Sequence, residues 1–229
     1  LTWSEDKNVR IWDISTGQVV GEPMRHEVSI VGAQIFANDQ RVLTWSADGA
    51  VYLWEASTGE LVKNVLYHPA GVLGVQLFAN EQRVLTWGWD GTARVWGASA
   101  VQSMRHKTIV GGAQLFANEQ RVLTWSDDGT ARVWEVSTGQ LVGGPMRHEA
   151  GVVGAQLFAN EQRVLTWSED DNTARVWAIS INQVVGAPMR HEVSIVGAQL
   201  FANEQRVLTW SEDDTARVWE VGTGQPVGA

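Results

Sequence analysis

Five histidines, at positions 26, 68, 106, 148 and 191, are the residues of this 229-residue chain best suited to acid–base or metal chemistry. A zinc site would need three or four such ligands about 2 Å from one ion. These histidines recur once per repeat of the sequence, so the fold should spread them apart rather than gather them. Cysteine is absent, which excludes thiolate metal sites, disulfides and a thiol nucleophile and fits a reducing compartment, with the cytoplasm as default. The acidic stretches Asp127-Asp128-Gly129 and Glu169-Asp170-Asp171 lack the alternating oxygen ligands of a calcium loop and read as hairpin turns. No nucleophile elbow, phosphate-cradling glycine loop or catalytic carboxylate pair is visible. The expectation is a non-enzyme with no catalytic residue, no cofactor and no bound metal.

The elements that position these residues follow from internal repetition. Leu-Thr-Trp recurs with its tryptophan at 3, 45, 87, 125, 167 and 210, spacings of 42, 42, 38, 42 and 43 residues. A second tryptophan follows each at 12, 54, 96, 134, 177 and 219, leaving only Trp89 outside the two series. Within one unit, an apolar strand over 109–116 ends at the turn Ala117-Asn118-Glu119-Gln120, and Arg121 to Ser126 makes a second strand. Asp127-Asp128-Gly129 turns the chain into a third strand at Thr130 to Trp134, and a fourth lies around Gln140 to Val142 with Pro145 closing it. No segment holds a helical period, so the class is all-β. Alternation places Trp45 and its equivalents on the face opposite the neighbouring threonine, packed between units. A four-stranded unit of this size cannot bury both faces alone, and radial stacking into a β-propeller is the arrangement that limits exposed edges.

These residues resemble the WD-repeat family over essentially the whole chain, in the highly repetitive Thr-Ala-Arg-Val-Trp style similar to arrays appended to bacterial signalling NTPases. The resemblance implies a hydrogen-bonded tetrad of His, Thr, Asp and Trp in each blade. The matching sets are His26, Thr44, Asp48, Trp54; His68, Thr86, Asp90, Trp96; His106, Thr124, Asp128, Trp134; and His191, Thr209, Asp213, Trp219. In the remaining unit, His148, Thr166 and Trp177 are joined by Asp170, with Asp171 competing for the acidic role after a one-residue insertion. The Trp-Asp dipeptide itself survives only at Trp12-Asp13. One propeller domain or fragment over 1–229 is expected, with a split blade at 1–25 lacking its first strand and five four-stranded blades at 26–67, 68–105, 106–147, 148–190 and 191–229. A six-bladed parent ring would need about 20 further residues and a seven-bladed one roughly 60. The open blade edge would favour self-association.

An excess of 26 Asp and Glu over 17 Lys and Arg, a net charge of −9, argues against nucleic acid as partner, and no apolar run is long enough for a membrane span. A protein partner is expected, for an interaction or sensor module in a larger signalling protein. A lectin-like multivalent binder and a structural array serving other domains are the alternatives. Two groups of residues are candidates for contact. Arg25, Arg105, Arg147 and Arg190 precede the histidines and form either a ring for acidic partners or a solvated rim. Tyr67, Pro69 and Trp89 break the repeat pattern around the His68–Asp90 pair, and such aromatics anchor binding hot spots.

Overall fold

The second strand of each repeat, Val-Leu-Thr-Trp, combines β-branched and aromatic residues, which suit a strand covered on both faces. The turn that follows needs a left-handed residue, and Gly49 (φ 93°) and Gly129 (φ 77°) supply it at little cost. In the computed structural model, which describes residues 1–79, 81–97 and 101–228, these patterns form strands and, among the described residues, no helix. The chain divides into two compact units, Leu1–Val101 and Gln102–Ala229.

In the first unit, Thr2–Trp3 (β1), Asn8–Trp12 (β2) and Val19–Arg25 (β3) form a three-stranded sheet in that order. Ile30–Phe36 (β4), Arg41–Ser46 (β5), Ala50–Glu55 (β6) and Leu61–Tyr67 (β7) make a four-stranded antiparallel meander. Val72–Leu77 (β8), Val84–Gly88 (β9) and Thr92–Trp96 (β10) repeat its start. The second unit opens with Gln102–Arg105 (β11). Two complete meanders follow: Val110–Leu115 (β12), Arg121–Ser126 (β13), Thr130–Glu135 (β14) and Met146–Arg147 (β15), then Gly154–Phe158 (β16), Arg163–Ser168 (β17), Thr173–Ala178 (β18) and Gln183–Arg190 (β19). Ile195–Phe201 (β20), Arg206–Ser211 (β21) and Ala216–Glu220 (β22) form the last sheet, to which Pro226 adds one bridge opposite Trp219. Repeated four-stranded antiparallel sheets of this kind are consistent with a β-propeller-like fold. The last residue expected in the fifth blade, Ala229, and the link at 98–100 lie outside the described residues.

The fourth strand departs from expectation. In the unit read above, Leu141 makes only a single bridge to Trp134, and the strand proper lies beyond Pro145 at β15. Elsewhere the proline sits inside the strand, Pro23 in β3 and Pro188 in β19. An outer strand tolerates proline because the lost N–H need not enter the ladder. The register also skips there, between Val9 and Ile11 and between Ala174 and Val176, beside Gly21 and Gly186 with left-handed φ of 70° and 74°.

Within each unit successive sheets pack face to face. Val9, Met24, Val42 and Trp54 join the first two sheets, and Leu43, Val51, Val72 and Val75 join the second to the third. In the second unit Leu123, Val133, Val164 and Trp177 form one such layer, and Leu165, Val176, Val207 and Trp219 form the next. The second-strand tryptophans lie in these layers: Trp45, Trp125 and Trp167 pack against the sheet that follows. Each has a glycine opposite it in register, and a Cβ built on Gly32, Gly112 or Gly154 would lie 2.0–2.2 Å from the indole of Trp45, Trp125 or Trp167.

Candidate functional site

A buried threonine at the middle of each second strand organises the loop end of its sheet. Thr44, Thr86, Thr124, Thr166 and Thr209 are fully buried, and each accepts the indole N–H of its third-strand tryptophan at 2.7–2.8 Å. Each also lies 2.6–2.8 Å from a ring nitrogen of its histidine, His26, His68, His106, His148 or His191. The other nitrogen of His106 is 3.2 Å from Asp128 and that of His148 is 2.8 Å from an aspartate, while His68 meets Asp90 at 2.9 Å with its ring turned the other way round. An ionised carboxylate only accepts, so the facing imidazole nitrogen must donate; the neutral ring then accepts the threonine O–H, and the threonine accepts the indole N–H. In the units of His68, His106 and His148 the polar atoms of this relay are satisfied in series. The three-stranded first sheet keeps one link of it, Trp12 donating to Thr2 at 2.7 Å.

Two of the expected tetrads are corrected. In the fourth full unit Asp171, not Asp170, meets His148, because the inserted residue lengthens the hairpin and turns Asp170 outward while Asp171 is buried. In the first full unit Asp48 does not bond His26. Its carboxylate accepts Ser46 Oγ at 2.6 Å and the Ala50 N–H at 3.1 Å instead, and His26 Nδ1 is buried without a hydrogen-bond partner. Asp213 is intermediate, 3.8 Å from His191.

The reason lies in residues that the tetrad reading passed over. In four units a threonine after the hairpin, Thr92, Thr130, Thr173 or Thr215, donates its hydroxyl and backbone N–H to the aspartate. An arginine two positions on grips the other oxygen: Arg94 at 2.8 Å from Asp90, Arg132 at 3.0 Å from Asp128, Arg175 at 3.4 Å from Asp171. Arg132 and Arg175 also donate to the backbone carbonyls of Arg105 and Arg147 at 2.7 Å. The signal was present in the sequence as the recurring Thr-Ala-Arg-Val-Trp. In the unit of His26 that string reads Ala50-Val51-Tyr52-Leu53-Trp54, and both clamps are missing. Tyr52 packs on the His26 ring instead, centroids 4.6 Å apart.

Burial pushes the imidazoles of His26 and His106 down to about 4, against an opposing pull from Asp48 and Asp128. His68 and His191 are lowered for the same reason. Burial alone would raise the Asp128 carboxyl, but hydrogen bonds from Thr130, the Lys107 N–H and His106 hold it at about 2, and Asp171 is held below the usual carboxylate range in the same manner. Neutral imidazole beside carboxylate is the state the relay requires. Among the described residues no group of three or more His, Cys, Asp or Glu could hold a metal ion, and no helix is long and apolar enough to cross a membrane.

The remaining candidates lie at the surface. Arg25, Arg105, Arg147 and Arg190 are exposed, each following a buried methionine, and Arg190 donates to the Asp171 carbonyl at 3.2 Å. Tyr67 and Trp89 are 63% and 55% exposed, and Pro69 is exposed between them in sequence. Tyr67 ends β7 opposite Ala50, and the next N–H, of His68, donates to Gly49 O at 2.8 Å. Trp89 N–H donates to Gly71 O, and a Cβ on Gly71 would lie 2.4 Å from Ala47 O and 3.2 Å from Trp89 Cδ1. The hairpin carrying Asp48 thus has Tyr67 paired beside Ala50, and the Trp89 indole approaches it near Ala47 through Gly71. Two concavities, of about 500 Å³ beside Arg121 and Glu161 and about 790 Å³ beside Ile11, Trp12 and Ile14, are not lined by any relay histidine or aspartate.

No family model matches the chain, and no curated protein matches it. Among solved structures the chain is similar in fold to the crystal structure of the computationally designed Ika8 protein, with a TM-score of 0.77 at 25% sequence identity over 99% of this chain and 69% of that one.

Proposed function

We propose that this chain is a WD-repeat β-propeller, its blades formed by the successive sheets described above, and that it recognises a protein partner without catalysing a reaction. The recognition face is the loop end around His68 and Asp90. The WD-repeat reading is supported by the His–Thr–Trp contact, which recurs in five sheets with the same atoms except for the turned ring of His68.

One observation carries the functional reading: the aromatic residues that stand outside the repeat, Tyr52, Tyr67 and Trp89, are concentrated. Ala50, Tyr52, Tyr67, Pro69 and Trp89 all replace the residues usual at their positions, and all lie in two successive sheets of the first unit. Tyr67, Pro69 and Trp89 are exposed there, and large aromatics are frequent anchors of binding hot spots. Joined to a larger signalling protein, such a face serves as its sensor, and a cytoplasmic setting fits the absence of cysteine.

The test is affinity purification from the source cells with the parent chain and with the Tyr67→Ala, Trp89→Ala double variant, folding being checked by thermal melting. The reading expects at least one protein retained by the parent and lost from the variant. The same set of proteins on both would contradict it.

A further inference from the structure

Every described third strand but one presents an arginine to the carboxylate of its own hairpin. Arg10 and Asp6 are 2.7 Å apart, Arg94 and Asp90 2.8 Å, Arg132 and Asp128 3.0 Å, Arg175 and Asp171 3.4 Å, and Arg217 and Asp213 4.0 Å. The exception is Asp48. Tyr52 occupies the arginine's place and turns onto His26, and the hydrogen bonds to Asp48 come from Ser46 and the Ala50 N–H, both to the same oxygen, Oδ1. Among the described residues no cationic side chain reaches this carboxylate.

We propose that Asp48, Tyr67 and Trp89 form a binding site for the guanidinium of an arginine presented by the protein partner, which takes the place of the arginine missing at position 52. This rests on the proposed partner face and adds the chemistry of what that face reads.

Three observations converge on the site. First, Asp48 is exposed and its Oδ2 is left for an incoming donor. Second, the two exposed aromatics lie near the same hairpin, and a planar guanidinium is the cation that both stacks on aromatic faces and donates in a fork to a carboxylate. Third, His26, only 6% exposed, keeps a buried nitrogen without a partner, and its counterparts in His106 and His148 are the nitrogens that meet an aspartate. An unpartnered buried nitrogen carries a desolvation cost. Here it accompanies the withdrawal of Asp48 from the relay, which leaves the carboxylate open to solvent. The net charge of −9 favours approach of a basic partner. Lysine would satisfy the charge but not the fork or the stacking, so arginine is preferred.

The probe is an acetylated, amidated peptide, Gly-Ser-Ala-Arg-Ala-Ser-Gly, with its citrulline analogue as the uncharged control. Both are titrated into the full chain while the indole N–H cross-peak of Trp89, assigned with Trp89→Phe, is followed by NMR. The arginine peptide is expected to shift that cross-peak saturably and the citrulline peptide not to. Asp48→Asn should weaken binding roughly tenfold or more, and so should Tyr52→Arg, which restores the internal guanidinium. Tyr52→Arg is the residue of the other repeats, and its melting temperature, measured alongside, shows that loss of binding is not loss of fold. Equal binding of the citrulline peptide, unchanged binding to Tyr52→Arg, or no shift with the arginine peptide overturns the arginine site. None of these results touches the partner face itself, which stands or falls on the Tyr67→Ala, Trp89→Ala purification.

Discussion

The threonine–histidine–aspartate relay decides what single substitutions do. Thr124→Val keeps shape but removes the atom that joins Trp134 to His106, leaving two buried nitrogens without partners. It should cost about 1–3 kcal/mol, read from the denaturation midpoint. Asp171→Asn should cost a similar amount because it meets His148, Thr173 and Arg175, whereas Asp170→Asn should change stability by less than about 0.5 kcal/mol. The relay also fixes a pH response. His26 and His106 are lowered from 6.5 to about 4, so below pH 6.5 the unfolded chain binds protons that the folded chain refuses. Stability therefore falls as pH drops from 6.5 toward 4. The depressed aspartates add a further loss as pH falls below 3.8. Thermal melts across pH 7.5 to 4 should show a falling midpoint; a flat or rising profile would mean that the histidines are already charged in the fold. Of the twenty tetrad residues expected from spacing and resemblance, Asp170 and Asp48 lie outside the relays, and Asp213 is the loosest of the rest at 3.8 Å from His191. Asp170 failed because an insertion makes two adjacent carboxylates equivalent in sequence, and only burial separates them. Asp48 failed because its hold depends on Thr and Arg positions two and four residues later, which the four-residue pattern does not include.

The strands differ in how openly the sequence announces them. Second strands such as β13 begin and end where the Arg-Val-Leu-Thr-Trp-Ser string does, because both faces are covered and every residue is under the same demand. Fourth strands are harder to read. Their outer edge faces no partner strand, so glycine and proline can enter, and a bulge at Gly186 moves the paired residues across Pro188. The glycines of the first strands were legible as a pattern, but their reason was not, since it depends on the tryptophan opposite in register. Gly154→Ala puts a methyl group 2.0 Å from Trp167 Cζ2 and should destabilise by about 1–3 kcal/mol. Adding Trp167→Leu should recover part of that loss if the clash is the cause. A double variant no more stable than the sum of its two single changes would place the cost elsewhere.

For the molecule as a whole, repetition made the fold class readable and left the function almost silent. Near-identical units specify how sheets stack, and they specify it several times over, but a partner can be read only where one unit differs from the rest. Those differences, from Ala50 to Trp89, fall on successive sheets, and three of them were singled out from the sequence as Tyr67, Pro69 and Trp89. In the proposed reading they act together with Asp48, which stands outside the relay that the other His-bearing units keep at least in part. The claim that recognition lives in this departure is tested most directly by the dissociation constant of a partner recovered with the parent chain, measured for Trp89→Asp and, as a control in a regular repeat, for Asp127→Ala. The account predicts at least about a tenfold loss for Trp89→Asp and no change for Asp127→Ala. Unchanged affinity in Trp89→Asp, or an equal loss in both, would contradict it.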